Sequence, residues 1–335
     1  IEGIGFVKTE KRVYPRRDIA SNVLGFVGVD NQGLGGLEYK YDELLKGSPG
    51  KIILDRDPRG NPLLSGEKDI VPNFDGTHIV TTLDEYVQYI SQKYLVEAVE
   101  YFQAFSGQVI VMNPRNGDIL SMVSFPSFNS NEWKDSDYDD RRIRPVSTVF
   151  EPGSTFKLIT LASVLEEKIV SPKSSLHVPE TLELFDVVIS EAHEREEFES
   201  DTKTVTEIIQ ESSNVGVTLL AQKLGEERFY KYIRDFGFGD KTGIELPGES
   251  KGLFRHYKDW SGVDIGMISF GQGIAVTGVQ MTRAVSCIAN NGRCPKARIV
   301  DYITDNQFLT RNSIAQQWSE PIIGQQTVEQ VKSIM

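Results

Sequence analysis

The chain has 335 residues, 39% hydrophobic and 25% charged, with 36 basic and 48 acidic side chains for a formal net charge of −12. These are globular values, and the length fits two domains, or one large domain with an appendage. The acidic balance gives a nucleic-acid partner no electrostatic footing, and no run of 18 apolar residues is present to span a membrane.

Residues 1–75 are rich in turn chemistry. The stretches "VYPRRD", "DNQGLGG", "KGSPG" and "DPRGNP" break up short β-prone runs such as "KIIL". "GLGGLE" lacks the GxGxxG spacing and a strand–loop–helix setting, so it reads as a flexible turn and not a dinucleotide loop. The chain starts at Ile1 instead of Met, which leaves room for a leader or anchor before it.

The character changes near Asn73. "HIVTTL" predicts a short strand, and Thr82 to Glu85 ("TLDE") predicts a capping box opening a helix to about Ala104. Val87, Ile90, Tyr94, Ala98 and Phe102 form its expected apolar stripe. "QVIVMN-PRNG-DILSMVSF" predicts a hairpin whose turn ends at Asn116-Gly117. A strand, a long helix and a hairpin together point to an α+β fold, a mainly antiparallel sheet with helices packed on it.

A polar, acidic loop then leads into "FEPGSTFKLITLASVLEE", residues 150–167, whose apolar members recur at helical spacing. The acid-rich "EAHEREEFESD" reads as a solvated loop or face. "TVTEIIQESSNVGVTLLAQKLG" predicts two helical pieces broken at Ser212–Asn214, with Gly225 as a stop. "EERFYKYIRDF" is a further helix, and Thr277 to Gln280 ("TGVQ") a second capping box, opening a helix that stops near Asn291-Gly292. Cys287 and Cys294 lie across that stop. The spacing leaves a disulfide open, but a buried helix thiol beside an unrelated loop thiol is the favoured expectation. His78, His177, His193 and His256 are scattered without paired ligand spacing, so no metal is expected.

Ser-x-x-Lys occurs four times, at Ser48–Lys51, Ser65–Lys68, Ser154–Lys157 and Ser200–Lys203. Only Ser154–Lys157 opens an apolar helix able to hold the pair rigidly. At positions i and i+3 the two side chains share one helical face, with Phe156, Ile159, Ala162, Ser163 and Leu165 available to pack inward. A serine hydroxyl is a weak nucleophile until a base takes its proton. A lysine becomes that base when burial and the positive end of a helix lower its pKa. The helix start also aims free N–H groups at a developing oxyanion. Without further context, a capped helix carrying a surface lysine is an equally good reading of such a stretch. Ser212-Ser213-Asn214 is the second candidate, a hydroxyl for proton relay and an amide for orientation at a helix break. Its bland reading is helix-break chemistry alone.

These residues resemble the penicillin-binding, serine-active acyl-transferase superfamily, whose motifs are Ser-x-x-Lys, Ser-x-Asn and Lys-Thr/Ser-Gly. "RVYP", "LGFVGVDNQGLGGLEYKYDELLKGSPG", "TTLDEYVQ", "VIVMNPRNGDILSMVSFPSFNSN", "TGIELPGE" and "SFGQGIAVTGVQMTRAVSCIANNG" are similar to class B penicillin-binding proteins, and lean to the division type. The resemblance covers nearly the whole chain. It implies an α/β transpeptidase fold over 76–335 with a smaller, elongated N-terminal pedestal over 1–75. The single Lys-Thr-Gly, Lys241 to Gly243, matches a family loop and not the third motif, which is expected beyond Met335.

The implied reaction is D,D-transpeptidation of peptidoglycan stem peptides ending in D-Ala-D-Ala. Ser154 is the implied nucleophile and Lys157 its base, with Ser212 and Asn214 as relay and Gly153 and Ser213 lining the substrate. β-Lactams are the expected mimics, and no cofactor is needed. A single-pass anchor in the cytoplasmic membrane, an extracytoplasmic ectodomain, and glycosyltransferase, division or elongation machinery as partners are likewise implied. D,D-carboxypeptidation and a non-catalytic scaffold are the alternatives. A class A-like β-lactamase is disfavoured because no matching Glu-x-x-x-Asn follows Ser212.

Overall fold

The structure is a computed structural model that describes residues 11–54, 68–192 and 200–335. Ser65, the turn "DPRGNP" and most of the acidic stretch, including His193, lie outside the described residues.

The N-terminal part carries three short helices, Ser21–Leu24, Gly36–Lys40 and Asp42–Leu45, and an antiparallel pair of Lys51–Leu54 with Lys68–Val71. The middle helix starts within "GLGGLE", so that stretch is an ordered helix entrance instead of a flexible turn. Glu38 in its first turn is buried, and its carboxylate accepts from Arg12 Nε at 2.6 Å and from the Tyr14 hydroxyl at 3.2 Å. Val23 and Leu37 enter the same core cluster as Ile119, Met122 and Ile299, which joins this part to the rest through apolar contact.

The larger part begins with β1 (His78–Thr81), α1 (Glu85–Phe102), β2 (Gly107–Met112) and β3 (Ile119–Phe125), the last two forming the expected antiparallel hairpin. Two expectations for α1 are corrected. The N-cap is Asp84, whose carboxylate accepts from Val87 N at 2.9 Å. Thr82 Oγ1 instead donates to Ile119 O (2.7 Å) and Arg298 O (3.1 Å), so it ties strands together and does not start the helix. The buried face is Gln88, Gln92, Leu95 and Val99, while Tyr94 and Phe102 of the expected stripe are exposed. Polar residues win that face because they are satisfied there. Gln88 exchanges two hydrogen bonds with the Met122 backbone (3.2 and 2.9 Å), which removes the penalty of burying an amide.

β4 (Val149–Phe150) leads to the Ser154 turn and then α2 (Lys157–Glu166). A hairpin of β5 (Thr181–Leu184) and β6 (Val187–Ser190) follows, then α3 (Val205–Gln210), α4 (Asn214–Leu224) and α5 (Glu226–Asp235). Farther along the chain come α6 (Asp264–Ser269), β7 (Val276–Thr277), α7 (Gly278–Ala289), β8 (Val300–Thr304) and α8 (Gln325–Ile334), among shorter elements. The named strand pairs are antiparallel, with β7 on β4 and β8 on β1. Among the described residues the ladders are two- or three-stranded.

The main core joins Phe156, Ile159 and Leu161 of the segment from the Ser154 turn into α2 to Val217 and Leu220 of α4, Phe229 and Ile233 of α5, and Val328 of α8. Each such side chain withdrawn from water contributes about 1.5–3 kcal/mol, so the N-terminal end of α2 is anchored by burial in this core. The Thr277–Gln280 capping box at α7 is present as expected. The two cysteines differ from the favoured expectation. Cys287 and Cys294 form a disulfide, because the chain reverses at Asn291-Gly292 and brings the end of α7 against the strand Arg293–Pro295.

Candidate functional site

Ser154 lies in a single 3-10 turn, Gly153–Phe156, that runs into α2 at Lys157. With three residues per turn, side chains at i and i+3 eclipse, so residues 154 and 157 stack on one face. The turn is shaped from outside. Gly153 has φ +58°, and its N–H donates to Gly271 O at 3.1 Å. A Cβ on Gly271 would sit 2.2 Å from Gly153 O, so only glycine lets the "SFGQG" segment approach this closely. Glu151 adds a clamp by accepting from Gly273 N at 2.8 Å. Ser154 itself is exposed, and Phe156 behind it is fully buried.

Lys157 is 3% exposed. Its ammonium donates to Ser212 Oγ at 3.0 Å and to the Ser212 carbonyl. Burial pushes its pKa down to about 8, and the charge of Glu191 partly opposes that fall. The displacement corresponds to about 3 kcal/mol against the ammonium. At neutral pH about a tenth of the molecules then carry the free amine, against roughly one in three thousand for an exposed lysine.

The break between α3 and α4 explains how Ser212 reaches this amine. Ser212 N donates to Ile209 O (3.0 Å) and Ser213 N to Ile208 O (2.9 Å), the paired bonds of a Schellman stop. That motif needs a left-handed residue, normally glycine, and here Ser212 fills it at φ +56°. A non-glycine residue there costs on the order of 1–3 kcal/mol, which points to a use for its side chain. Ser213 then caps α4, accepting from Gly216 N at 2.8 Å. Gly216 makes the cap fit, since a Cβ would lie 2.6 Å from Ile208 Cγ2.

The sequence candidates are thus placed unequally. Lys157 and Ser212 meet directly, and exposed Ser154 stands one turn before Lys157. Among the described residues no hydrogen bond joins Ser154 to Lys157, whose amine is turned to Ser212. Asn214 is half-buried at the first position of α4, and its amide donates to Ser190 O at 3.1 Å. Ser213 departs from its expected substrate-lining place. It is 3% exposed and its hydroxyl faces inward, because it is occupied as the cap. The other Ser-x-x-Lys lysines differ from Lys157. Lys51 is exposed, and buried Lys203 is ion-paired with Glu211. Lys241 to Gly243 lie in a loop where Thr242 N and Gly243 N both donate to Glu249, at 2.6 and 3.2 Å.

Glu191 was hidden within the acidic stretch read as solvated. Its Oε1 accepts from Ser213 Oγ at 2.5 Å and its Oε2 from Asn214 N at 2.6 Å. The one available signal was its place directly after the β-prone "VVIS" that became β6.

Two family descriptions match the chain, Penicillin binding protein transpeptidase domain over residues 107–335 and Penicillin-binding Protein dimerisation domain over residues 1–81. The chain belongs to the penicillin-binding protein transpeptidase family. It is 35% identical to Stage V sporulation protein D of Bacillus subtilis, covering 99% of this chain and 51% of that protein. It is 30% identical to Peptidoglycan D,D-transpeptidase FtsI of Escherichia coli, covering 87% of this chain and 48% of that one. The crystal structure of Penicillin binding protein 3 from Mycobacterium tuberculosis complexed with ampicillin superposes with a TM-score of 0.84 at 29% identity, over 97% of this chain and 67% of that one. The chain thus spans about half the length of the curated relatives it matches. The expected α+β transpeptidase fold is the one these neighbours share.

Proposed function

We propose that this chain is part of a peptidoglycan D,D-transpeptidase that works through an acyl-enzyme on Ser154. The observation that carries the reading is a buried lysine amine, one turn from an exposed serine, held on the strained Ser212. Ser154 Oγ attacks the carbonyl carbon between the last two D-alanines of a donor stem peptide, and its proton passes to the free amine of Lys157. Ser212 relays that proton to the departing D-alanine nitrogen as the C–N bond breaks, leaving an ester on Ser154. An amine of a second stem peptide attacks the ester, the new amide forms, and Ser154 Oγ recovers a proton. The Asn214 amide borders the substrate backbone, and Gly153 shapes the turn beneath it. Proton transfer and acyl exchange are the whole chemistry, so the reading requires no cofactor. β-Lactams acylate the same serine as mimics of the donor.

The names of the relatives support this reading, as does the ampicillin complex of a structural neighbour. It extends to a division role, to a single-pass anchor outside this chain with an extracytoplasmic ectodomain, and to a pedestal over 1–75 that sets the domain over 76–335 off the membrane. Partner enzymes of wall synthesis in that membrane belong to the same reading. Among the described residues no helix is long and apolar enough to cross a membrane.

The test is the pH dependence of acylation in the full-length protein. Only the free amine accepts a proton, and burial lowers the Lys157 pKa to about 8. The acylation rate constant for penicillin is therefore expected to rise about tenfold per pH unit below that midpoint and to level off above it. A flat profile between pH 6 and 9 would remove Lys157 as the base.

A further inference from the structure

We propose that Glu191 is a positioning residue for this acyl transfer: its carboxylate bridges Ser213 and Asn214 and thereby fixes where Ser212 and the Asn214 amide stand. The proposal rests on the acyl-transfer reading above.

The geometry carries it. Oε1 accepts the Ser213 hydroxyl proton at 2.5 Å and Oε2 accepts the Asn214 N–H at 2.6 Å. Asn214 is the first residue of α4, so its N–H is one of the four donors a helix start leaves without an intrahelical partner. A carboxylate is favoured there by both the orphan donor and the helix dipole. The Ser213 hydroxyl uses its proton on Glu191 and a lone pair on Gly216 N, which fixes its rotamer. Asn214 is held a second time from the same strand end, through its amide to Ser190 O. The end of β6 therefore grips the Ser-Ser-Asn segment at three points.

That grip bears directly on Ser212. The residue sits in a left-handed conformation that its own side chain disfavours, so its neighbours must over-determine it. The Schellman bonds hold it from the α3 side, and Glu191 holds the two residues that follow. Ser212 Oγ can then meet Lys157 Nζ at 3.0 Å. Glutamine is a poorer bridge. Its single oxygen can accept from only one of the two donors; with that oxygen on the Asn214 N–H, its NH2 end must donate to Ser213 Oγ, which reverses that bond, turns the hydroxyl proton away and loses the charge that strengthened both contacts. Among the described residues, Glu191 is the charged group that acts on Lys157, and it favours the ammonium.

The experiment uses full-length protein, stopped-flow acylation by penicillin from pH 6 to 9, and thermal melting of each variant. Glu191→Gln is expected to lower the plateau rate about tenfold to a hundredfold, the scale of a misplaced catalytic group. It is also expected to move the acid limb to lower pH, because removing the negative charge disfavours the Lys157 ammonium. Glu191→Asp restores the charge with a shorter reach, so the limb returns toward its wild-type position while part of the rate loss remains. Wild-type rate and midpoint in Glu191→Gln overturn the proposal. So does an equal rate loss in both variants with an unmoved limb that tracks a fall in melting temperature, since that marks a purely structural residue. If Glu191→Gln does not fold, Ser213→Ala takes its place, with a lowered plateau and an unchanged midpoint expected and a wild-type plateau overturning the proposal. Wild-type protein that takes no label at Ser154 defeats the acyl-transfer reading itself, and this proposal with it. A labelled wild type with an indifferent Glu191 defeats this proposal alone.

Discussion

Full-length protein carrying Ser154→Ala is expected to take no covalent label from fluorescent penicillin under conditions that saturate the wild type. The substitution removes one oxygen from an exposed position, so the fold should survive and the melting temperature should hold. The three remaining Ser-x-x-Lys serines cannot replace it in this account. Lys51 is exposed, buried Lys203 is spent on Glu211, and Lys68 follows a serine outside the described residues. Labelling of Ser154→Ala at the wild-type level would place the nucleophile elsewhere.

Lys157→Arg is expected to lower acylation by about a hundredfold to ten-thousandfold, the range that a positioned base supplies. Arginine keeps a positive charge and most of the volume, so electrostatics alone would predict a mild effect. It cannot give up its proton within the working range, and it cannot serve as base. It also needs more room than Lys157 has beside Ser212, where the amine is buried. The contrast with Lys157→Met separates the two ideas. If charge were the requirement, arginine would exceed methionine by orders of magnitude. If a removable proton site is the requirement, both are nearly inactive in single-turnover kinetics.

How much of this was legible beforehand differs element by element. The hairpin at Asn116-Gly117, the break at Ser212–Asn214 and the capping box at Thr277 follow local rules, since turn, cap and stop chemistry act over a few residues. The α1 stripe failed because periodicity sees polarity and not satisfaction. Gln88 and Gln92 are buried since the β3 backbone and Asp18 hydrogen-bond them, and no pattern in the helix itself announces those partners. Thr82 failed likewise, as its hydroxyl is claimed by Ile119 and Arg298, the latter 216 residues away. The Cys287–Cys294 bond depended on a chain reversal whose tightness is a tertiary outcome.

At the site, Ser154, Lys157 and Ser212 could be selected by type and spacing because their chemistry is written in which residues they are. Their mutual placement could not. The inward turn of Ser213, the left-handed backbone of Ser212 and the arrival of Glu191 all depend on where β6 ends relative to α4. Glu191 sat inside a uniformly acidic run, where charge patterning makes every carboxylate look solvated. Its distinction is purely spatial.

The central claim is that the acyl group is carried by Ser154, and peptide-mapping mass spectrometry of the full-length protein after brief exposure to benzylpenicillin reads it out. The account predicts one added penicilloyl group per chain, located on the peptide containing Gly153 to Lys157. An adduct on any other serine, or an unmodified chain at saturating drug, would contradict it.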